Sequence, residues 1–164
     1  MSEIDKRRDY SSRRLDALRK GFGKAAKFAT DKACVYATGS FGRREGSEHS
    51  DLDLFIAGKS EKIQRSDGSG IELTRKNLLS HLDEICIQSE LIQVSRRLGF
   101  QDFSGDGRYL GRHSVYEFVS TLGTEQDDVT NTFTARLLLL LESCPLVGTS
   151  IYEEVIREVI GSYW

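Results

Sequence analysis

Two aspartates separated by one residue are the first feature of this chain that suggests chemistry. Asp51 and Asp53 open the segment DLDLFIAG, which has the composition of a buried strand. Side chains two positions apart in a strand leave the same face, so we expect the two carboxylates to lie side by side, with Leu52 and Leu54 directed into a core. Neighbouring negative charges repel each other unless a cation lies between them, and Mg²⁺ prefers carboxylate and phosphate oxygens. The pair therefore predicts a site for Mg²⁺ or Mn²⁺.

A glycine–serine pair precedes the aspartates and predicts a turn that holds phosphate. Gly39 and Ser40 end a predicted strand, CVYATGS, just before a polar loop over residues 41–50. Glycine lets backbone N–H groups approach a phosphate closely, and the serine hydroxyl adds a donor. Arg43 and Arg44 lie in the same loop, where they fit either charge-assisted bonds to a triphosphate or ordinary surface charges. Adjacent or antiparallel strands would bring this turn beside the aspartates, which is what phosphoryl chemistry requires.

These residues resemble a known signature. The sequence Gly39-Ser40, then Arg43, then Ser50-Asp51-Leu52-Asp53-Leu54 resembles the motif of the DNA polymerase β-like nucleotidyltransferase superfamily. The resemblance is closest to small bacterial members with a Gly-Ser-x-Gly-Arg-x-x-Gly loop and a Ser-Asp-x-Asp-Leu strand. It covers residues 34–58 strongly. A P-loop is the weaker match, because the segment lacks the Gly-Lys-Ser/Thr ending of that motif.

The resemblance implies a fold, a reaction and residue roles. The fold is α/β (α+β), with a small mixed β-sheet flanked by helices and a helical C-terminal part. The reaction transfers a nucleoside monophosphate from an NTP such as ATP to an acceptor, and it releases pyrophosphate. By position, Asp51 and Asp53 are expected to be metal ligands and catalytic residues. Gly39 and Ser40 are expected to bind the triphosphate, with Arg43 and Ser50 in support.

The same family uses a third carboxylate on a later strand, and this chain offers several candidates for it. Asp102 is the prediction, because Phe100-Gln101-Asp102-Phe103 alternates as a short strand would. Asp106 and Glu72 remain alternatives. A second function is also left open, in which the fold is a catalytically inactive nucleotide-binding or interaction module, for example in a toxin–antitoxin or signalling assembly. The missing clear third carboxylate favours that alternative.

The elements that must position these residues are predicted from hydrophobic spacing. Residues 59–72 are polar and rich in glycine and serine, and we expect an exposed loop or the tip of a hairpin. The apolar run from Leu137 to Leu141 is expected to be core on several sides, and Pro145 to end its helix. Helices are predicted over residues 3–28, from an N-cap at Thr74 to residue 98, near 114–122, near 127–143 and over 150–164.

Composition restricts the class of protein. The chain has 164 residues, a net charge of −2 and 38% hydrophobic residues, which is typical of a globular protein and not of one that binds nucleic acid through bulk positive charge. Its three cysteines lack the spacing of a zinc site or a disulfide framework. A charged N-terminus and the absence of a long apolar run predict a cytoplasmic protein without membrane contact.

Two parts are predicted along the chain. Residues 1–112 form a nucleotidyltransferase-like domain, and residues 113–164 form a helical extension, interpreted as the start of a further helical domain. The apolar stripe of the last helix ends in Tyr163 and Trp164, which favours a homo-oligomer or a partner subunit bound through this helix. The acceptor of the nucleotide is left open between a protein, an RNA end and a small molecule.

Overall fold

Two fully buried strands, whose side chains alternate between two hydrophobic clusters, organise the fold. In the computed structural model, which describes residues 2–67, 70–101, 103 and 110–164, strands β1 (Ala33–Ala37) and β2 (Leu54–Gly58) are buried throughout. Val35 and Ile56 face one hydrophobic cluster, whereas Tyr36 and Phe55 face a second cluster on the opposite side of the sheet. Both faces of the sheet are therefore covered, which explains why these strands are continuously apolar.

Four strands form the central sheet in the order β5-β2-β1-β6. The outer strands are β5 (Arg112–Ser114) and β6 (Cys144–Val147). β1 pairs antiparallel with both β2 and β6, while β2 pairs parallel with β5, so the sheet is mixed. The predicted α/β class with a small mixed sheet is confirmed. The sequence analysis assigned no strand to residues 144–147, so the C-terminal part contributes to the sheet as well as being helical.

Helices form the two outer layers. The first layer contains α1 (Glu3–Gly21), α2 (Gly23–Ala29) and α4 (His81–Arg97), and the second contains α5 (Val115–Ser120), α7 (Thr132–Glu142) and α8 (Thr149–Gly161). The described residues also include two single helical turns, α3 (Gly39–Gly42) and α6 (Gln126–Val129). Within the described ranges, no helix combines the length and apolar character that crossing a membrane requires.

Strand pairing and local capping decided the start of α4, which the sequence analysis placed wrongly. Thr74 lies in strand β4 (Gly70–Asn77), which pairs antiparallel with β3 (Ser60–Asp67), so it does not cap a helix. α4 begins instead after Ser80, whose Oγ accepts the Asp83 N–H at 3.0 Å. Residues 59–72 were expected to form an exposed loop or the tip of a hairpin; the structure has a hairpin there, but most of that range lies in its two strands, which continue to Asn77.

The remaining helix predictions needed smaller corrections. The helix predicted over residues 3–28 is interrupted at the buried Phe22. The one near 127–143 is divided at Asn131, whose left-handed φ of 57° is incompatible with a continuous helix. Leu139 is core as predicted, but Leu137 and Leu141 are 43% and 73% exposed, so burial on several sides was wrong. Their face of α7 points away from the sheet.

Candidate active site

The site lies at the edge of the central sheet where β1 ends and β2 begins. The register pairs Ala37 with Leu54, and beyond it the Thr38 N–H donates to the Asp53 carbonyl at 3.0 Å. Gly39 follows β1 and Asp53 precedes β2, so antiparallel pairing brings both to the same edge of the sheet. The predicted proximity of the glycine turn to the aspartates is confirmed for these two residues.

Position 39 requires glycine because of its backbone conformation and because Asp53 packs against it. Its φ of +61° is a conformation that side-chain-bearing residues rarely adopt. A Cβ at this position would lie 2.8 Å from Asp53 Oδ2, closer than real Cβ contacts. Glycine therefore allows the Asp53 carboxylate to lie directly against the turn, and Gly39 is itself the first residue of the single helical turn α3.

The two aspartates differ in exposure. Asp51 is exposed and Asp53 is half-buried, while Leu52 between them and Leu54 after them are buried in the first core cluster, as predicted. Strand β2 begins only at Leu54, so the predicted strand over residues 51–58 starts three residues too early. Burial of the Asp53 carboxyl, and then the negative charges of Asp51 and Glu142, raise its pKa above the usual value. We call the part of the sheet edge formed by Gly39, Asp51 and Asp53 the corner. Negative charge is concentrated there.

Glu142 is the acidic group that the sequence analysis missed. It is the last residue of α7, its side chain is only 17% exposed, and its charge reaches Asp53. The close approach depends on Gly42, because a Cβ there would lie 1.8 Å from the Glu142 carbonyl oxygen. In the sequence, Glu142 is a single acid at the end of the apolar run FTARLLLLLE. Its position there does not indicate that it lies near Asp53.

Arg43 bridges two carboxylates at the rim of the corner. Its Nε donates to Glu45 at 2.9 Å, and its Nη1 forms an ion pair with Glu142. Hydrogen bonds to Glu45 and to Glu142 raise the pKa of Arg43. Arg44 is exposed and has a left-handed φ of 60°. The contact of Arg43 with phosphate stays a prediction. In the structure this side chain is held by the carboxylates of Glu45 and Glu142.

Ser50 closes the loop that leads into the aspartates. Its Oγ accepts the Ser47 N–H at 2.9 Å and lies 3.2 Å from the Ser47 hydroxyl. The Gly46 carbonyl in the same loop accepts a hydrogen bond from the buried Ser11 hydroxyl of α1 at 3.3 Å. Ser50 therefore orders the approach to Asp51, and its support of phosphate remains untested.

The three candidates for a third carboxylate lie outside the described residues or outside the central sheet. Asp102 and Asp106 lie outside the described residues. Glu72 lies in β4, which belongs to the separate two-stranded sheet. Among the residues that the structure describes, no group of three or more histidine, cysteine or acidic side chains is arranged to hold a metal ion.

An open groove of about 790 Å³ lies between α1 and the loop at residues 46–48. Charged and polar side chains of both signs line it, with Tyr10 as its aromatic member. None of the predicted site residues is among its lining residues. The groove lies next to the loop that carries the site, and it is a separate feature of the surface.

Comparison of the chain with protein-family models, with curated proteins and with solved structures found no match. The resemblance to the nucleotidyltransferase signature therefore depends on the motif residues and on their arrangement in space.

Proposed function

We propose that this protein is a Mg²⁺-dependent nucleotidyltransferase that transfers a nucleoside monophosphate from an NTP to an acceptor and releases pyrophosphate. The observation that supports this most is the contact between the left-handed Gly39 turn and the Asp53 carboxylate, with Asp51 beside it. A polyphosphate on the turn would lie next to both acids. In this reaction an acceptor oxygen forms a bond to the α-phosphorus, the bond to the bridging oxygen breaks, and pyrophosphate leaves with the electron pair.

The donor set is compatible with Mg²⁺. This ion is commonly held by one or two carboxylates together with substrate phosphates and waters, and seldom by a cage made only of protein groups. Asp51 and Asp53 are two such carboxylates, and the pKa of Asp53 is raised first by burial and then by the negative charges of Asp51 and Glu142, both of which a bound cation would offset. When bound, the ion would neutralise charge on the phosphates. Mn²⁺ has similar ligand preferences and would serve as its substitute.

The remaining residues of the corner would bind and orient the nucleotide. First-turn amides of a helix have no acceptor within the helix, and in α3 these include the N–H groups of Ser40 and Phe41. The Ser40 hydroxyl is partly exposed and adds a donor. Arg43 at the rim contributes a positive charge. These groups supply positioning and charge neutralisation, which are the main requirements of phosphoryl transfer.

The test is removal of both carboxylates. Changing Asp51→Ala together with Asp53→Ala is expected to reduce Mg²⁺-dependent pyrophosphate release by about 1,000-fold or more, because the charge-neutralising groups are lost. Release is measured with each of the four NTPs, and far-UV circular dichroism checks that the fold persists. A matched control changes two exposed acids of α8, Glu153→Ala and Glu158→Ala, and should leave release unchanged. Full activity in the double aspartate variant would refute the proposal.

A second candidate function is a nucleotide-binding or interaction module without turnover. The observation that favours it is that Glu142, the acid whose charge reaches Asp53, is already engaged by Arg43. Calorimetric titration of ATP and GTP with Mg²⁺ separates the two. Binding without pyrophosphate release supports the module, and absence of both binding and release contradicts both functions.

A further inference from the structure

The Arg43 side chain is held at two of its three guanidinium nitrogens. Nε donates to Glu45 and Nη1 pairs with Glu142, while Nη2 has no hydrogen-bond partner in the described parts of the chain. A guanidinium carries five N–H donors in a rigid plane, so two carboxylates fix its orientation and leave donors available. This arrangement differs from that of a solvated surface arginine, whose rotamers interconvert freely.

The two carboxylates differ in how firmly they are held. Glu45 is exposed, with 56% of its side chain accessible, and belongs to the same loop as Arg43. Glu142 is 17% exposed and ends α7, whose terminal carbonyl packs directly against Gly42. An ion pair with a mostly buried partner on a packed element is screened less than one between mobile surface groups. Glu142 is therefore the dominant restraint on Arg43.

The same acid lies close enough to influence Asp53, and the Arg43 backbone N–H donates to the Gly39 carbonyl at 3.0 Å, so the Arg43–Glu142 pair adjoins the corner that holds the aspartates. An arginine fixed beside a phosphate site loses little conformational entropy when it meets a phosphate oxygen, since the ordering has already occurred during folding. A mobile arginine would lose that entropy on binding, and the affinity would be lower.

We infer that Glu142 is a positioning residue, which fixes the Arg43 guanidinium so that its remaining N–H donors meet the phosphates of the bound nucleotide. This inference rests on the proposed function, because it requires an NTP at the Gly39 turn. Glu142 acts only through Arg43 and does not itself contact the nucleotide.

A double-mutant cycle on nucleotide affinity tests the inference. Dissociation constants for ATP with Mg²⁺ are measured for the wild-type chain, Arg43→Ala, Glu142→Ala and the double variant. We expect the Kd to rise about tenfold for Arg43→Ala and about fivefold for Glu142→Ala, the scale of one charge-assisted hydrogen bond. In the Arg43→Ala background, Glu142→Ala should not raise the Kd any further, because the positioning that Glu142 provides passes through the arginine. Additive effects would overturn the inference.

Two further variants distinguish positioning from general stability. Glu142→Gln keeps an acceptor oxygen for Nη1 and should recover part of the lost affinity, whereas Glu45→Ala should raise the Kd only about twofold. An unchanged Kd in Glu142→Ala, or a tighter one, would show that the ion pair competes with phosphate and would overturn the inference. Thermal melts of each variant identify any that fail to fold, and Glu142→Gln, which preserves shape, then provides the decisive comparison.

A nucleotide-independent measurement separates failure of this inference from failure of the proposed function. The Arg43 Nη–H signals in low-temperature NMR spectra of the free protein should be protected in the wild-type chain, where Nη1 pairs with Glu142, and should exchange rapidly in Glu142→Ala. An Arg43 signal that does not change would overturn the positioning role even if ATP binds. Absence of ATP binding by the wild-type chain would overturn both the inference and the proposed function.

Discussion

Two charged clusters in this molecule are built in opposite ways. In the C-terminal helices, Arg136 and Asp127 form a buried ion pair, with 1% and 8% of their side chains exposed. Where β1 ends and β2 begins, two acids, Asp51 and Glu142, lie close enough to a third, Asp53, to raise its pKa in addition to the effect of burial. The first cluster pairs opposite charges in the interior, while the second gathers like charges at a partly open corner.

The buried cluster satisfies its groups completely. Arg136 donates from Nη1 to the Phe118 carbonyl at 2.7 Å and from Nε to the Tyr163 hydroxyl at 3.1 Å, in addition to the ion pair. Asp127 also accepts the Thr132 hydroxyl at 2.7 Å. Burial alone would raise the pKa of Asp127, but the hydrogen bonds from Arg136 and Thr132 hold it below the usual value. These hydrogen bonds connect residues of the C-terminal helical layer to one another.

The corner leaves two of its charges unpaired. Within the described ranges neither Asp51 nor Asp53 forms a salt bridge, and the neighbouring Arg43 pairs with Glu45 and Glu142. The pKa of Asp53 is raised, opposite in direction to that of Asp127. Structural charges are paired by the fold, whereas charges that await a ligand are left unpaired at a cost in stability. The comparison thus supports the corner, and not the buried pair, as the candidate site.

The largest expected effect comes from breaking the buried pair. Asp127→Ala should lower the free energy of unfolding by about 3–5 kcal/mol at pH 7, because it leaves the Arg136 charge buried and unpaired. Since the folded-state pKa of Asp127 is lowered, its contribution is fully present above the unfolded-state pKa and is lost as pH falls. The penalty, measured by urea unfolding, should therefore shrink in acid.

The companion variant for this prediction replaces both partners. Asp127→Leu with Arg136→Met should recover much of the lost stability, since two apolar residues leave no unpaired charge. A loss as large as that of Asp127→Ala alone would show that the other hydrogen bonds of Arg136 dominate the cluster.

A smaller effect is expected where α7 meets the site. Gly42→Ala places a Cβ within 1.8 Å of the Glu142 carbonyl oxygen, so the α3 turn or the α7 terminus must move. We expect a loss of about 1–3 kcal/mol in unfolding free energy, typical of overpacking. The matched control is Gly23→Ala in helix α2, where a Cβ meets nothing within 4 Å and should stabilise by about 0.4–1 kcal/mol. Equal effects would contradict the close contact at Glu142.

The smallest effect has the opposite sign. Asp53→Asn should raise the unfolding free energy at pH 7 by about 0.5–1 kcal/mol, because it removes a carboxylate that the fold disfavours. The folded-state pKa of Asp53 is raised, so its destabilising contribution is absent below the unfolded-state pKa and grows as pH rises through the folded-state value. The gain should therefore vanish in acid. A loss of stability at pH 7 would mean that the aspartate is compensated in the folded chain.

Local sequence patterns predicted part of the fold and part of the site. A run of apolar residues identified β2, and the glycine–serine pair identified the turn beside it, because both depend on neighbours in the chain. The helix start at Thr74 was wrong because Ser80 offers the same capping chemistry, and strand pairing in the hairpin decided between them. Strand β6 was missed because four residues with a proline carry little strand signal.

What the sequence determined by itself is the spacing of Asp51 and Asp53 and the placement of glycine at position 39, since both follow from backbone geometry within a few residues. Only the tertiary structure decided that Glu142 would join them and that Arg43 would be held between two carboxylates. Helix α7 packs on the face of the sheet that carries Tyr36 and Phe55, and its last residue reaches the strand ends there. Electrostatic interactions depend on distance in space, and the spacing of residues along the chain does not encode that distance.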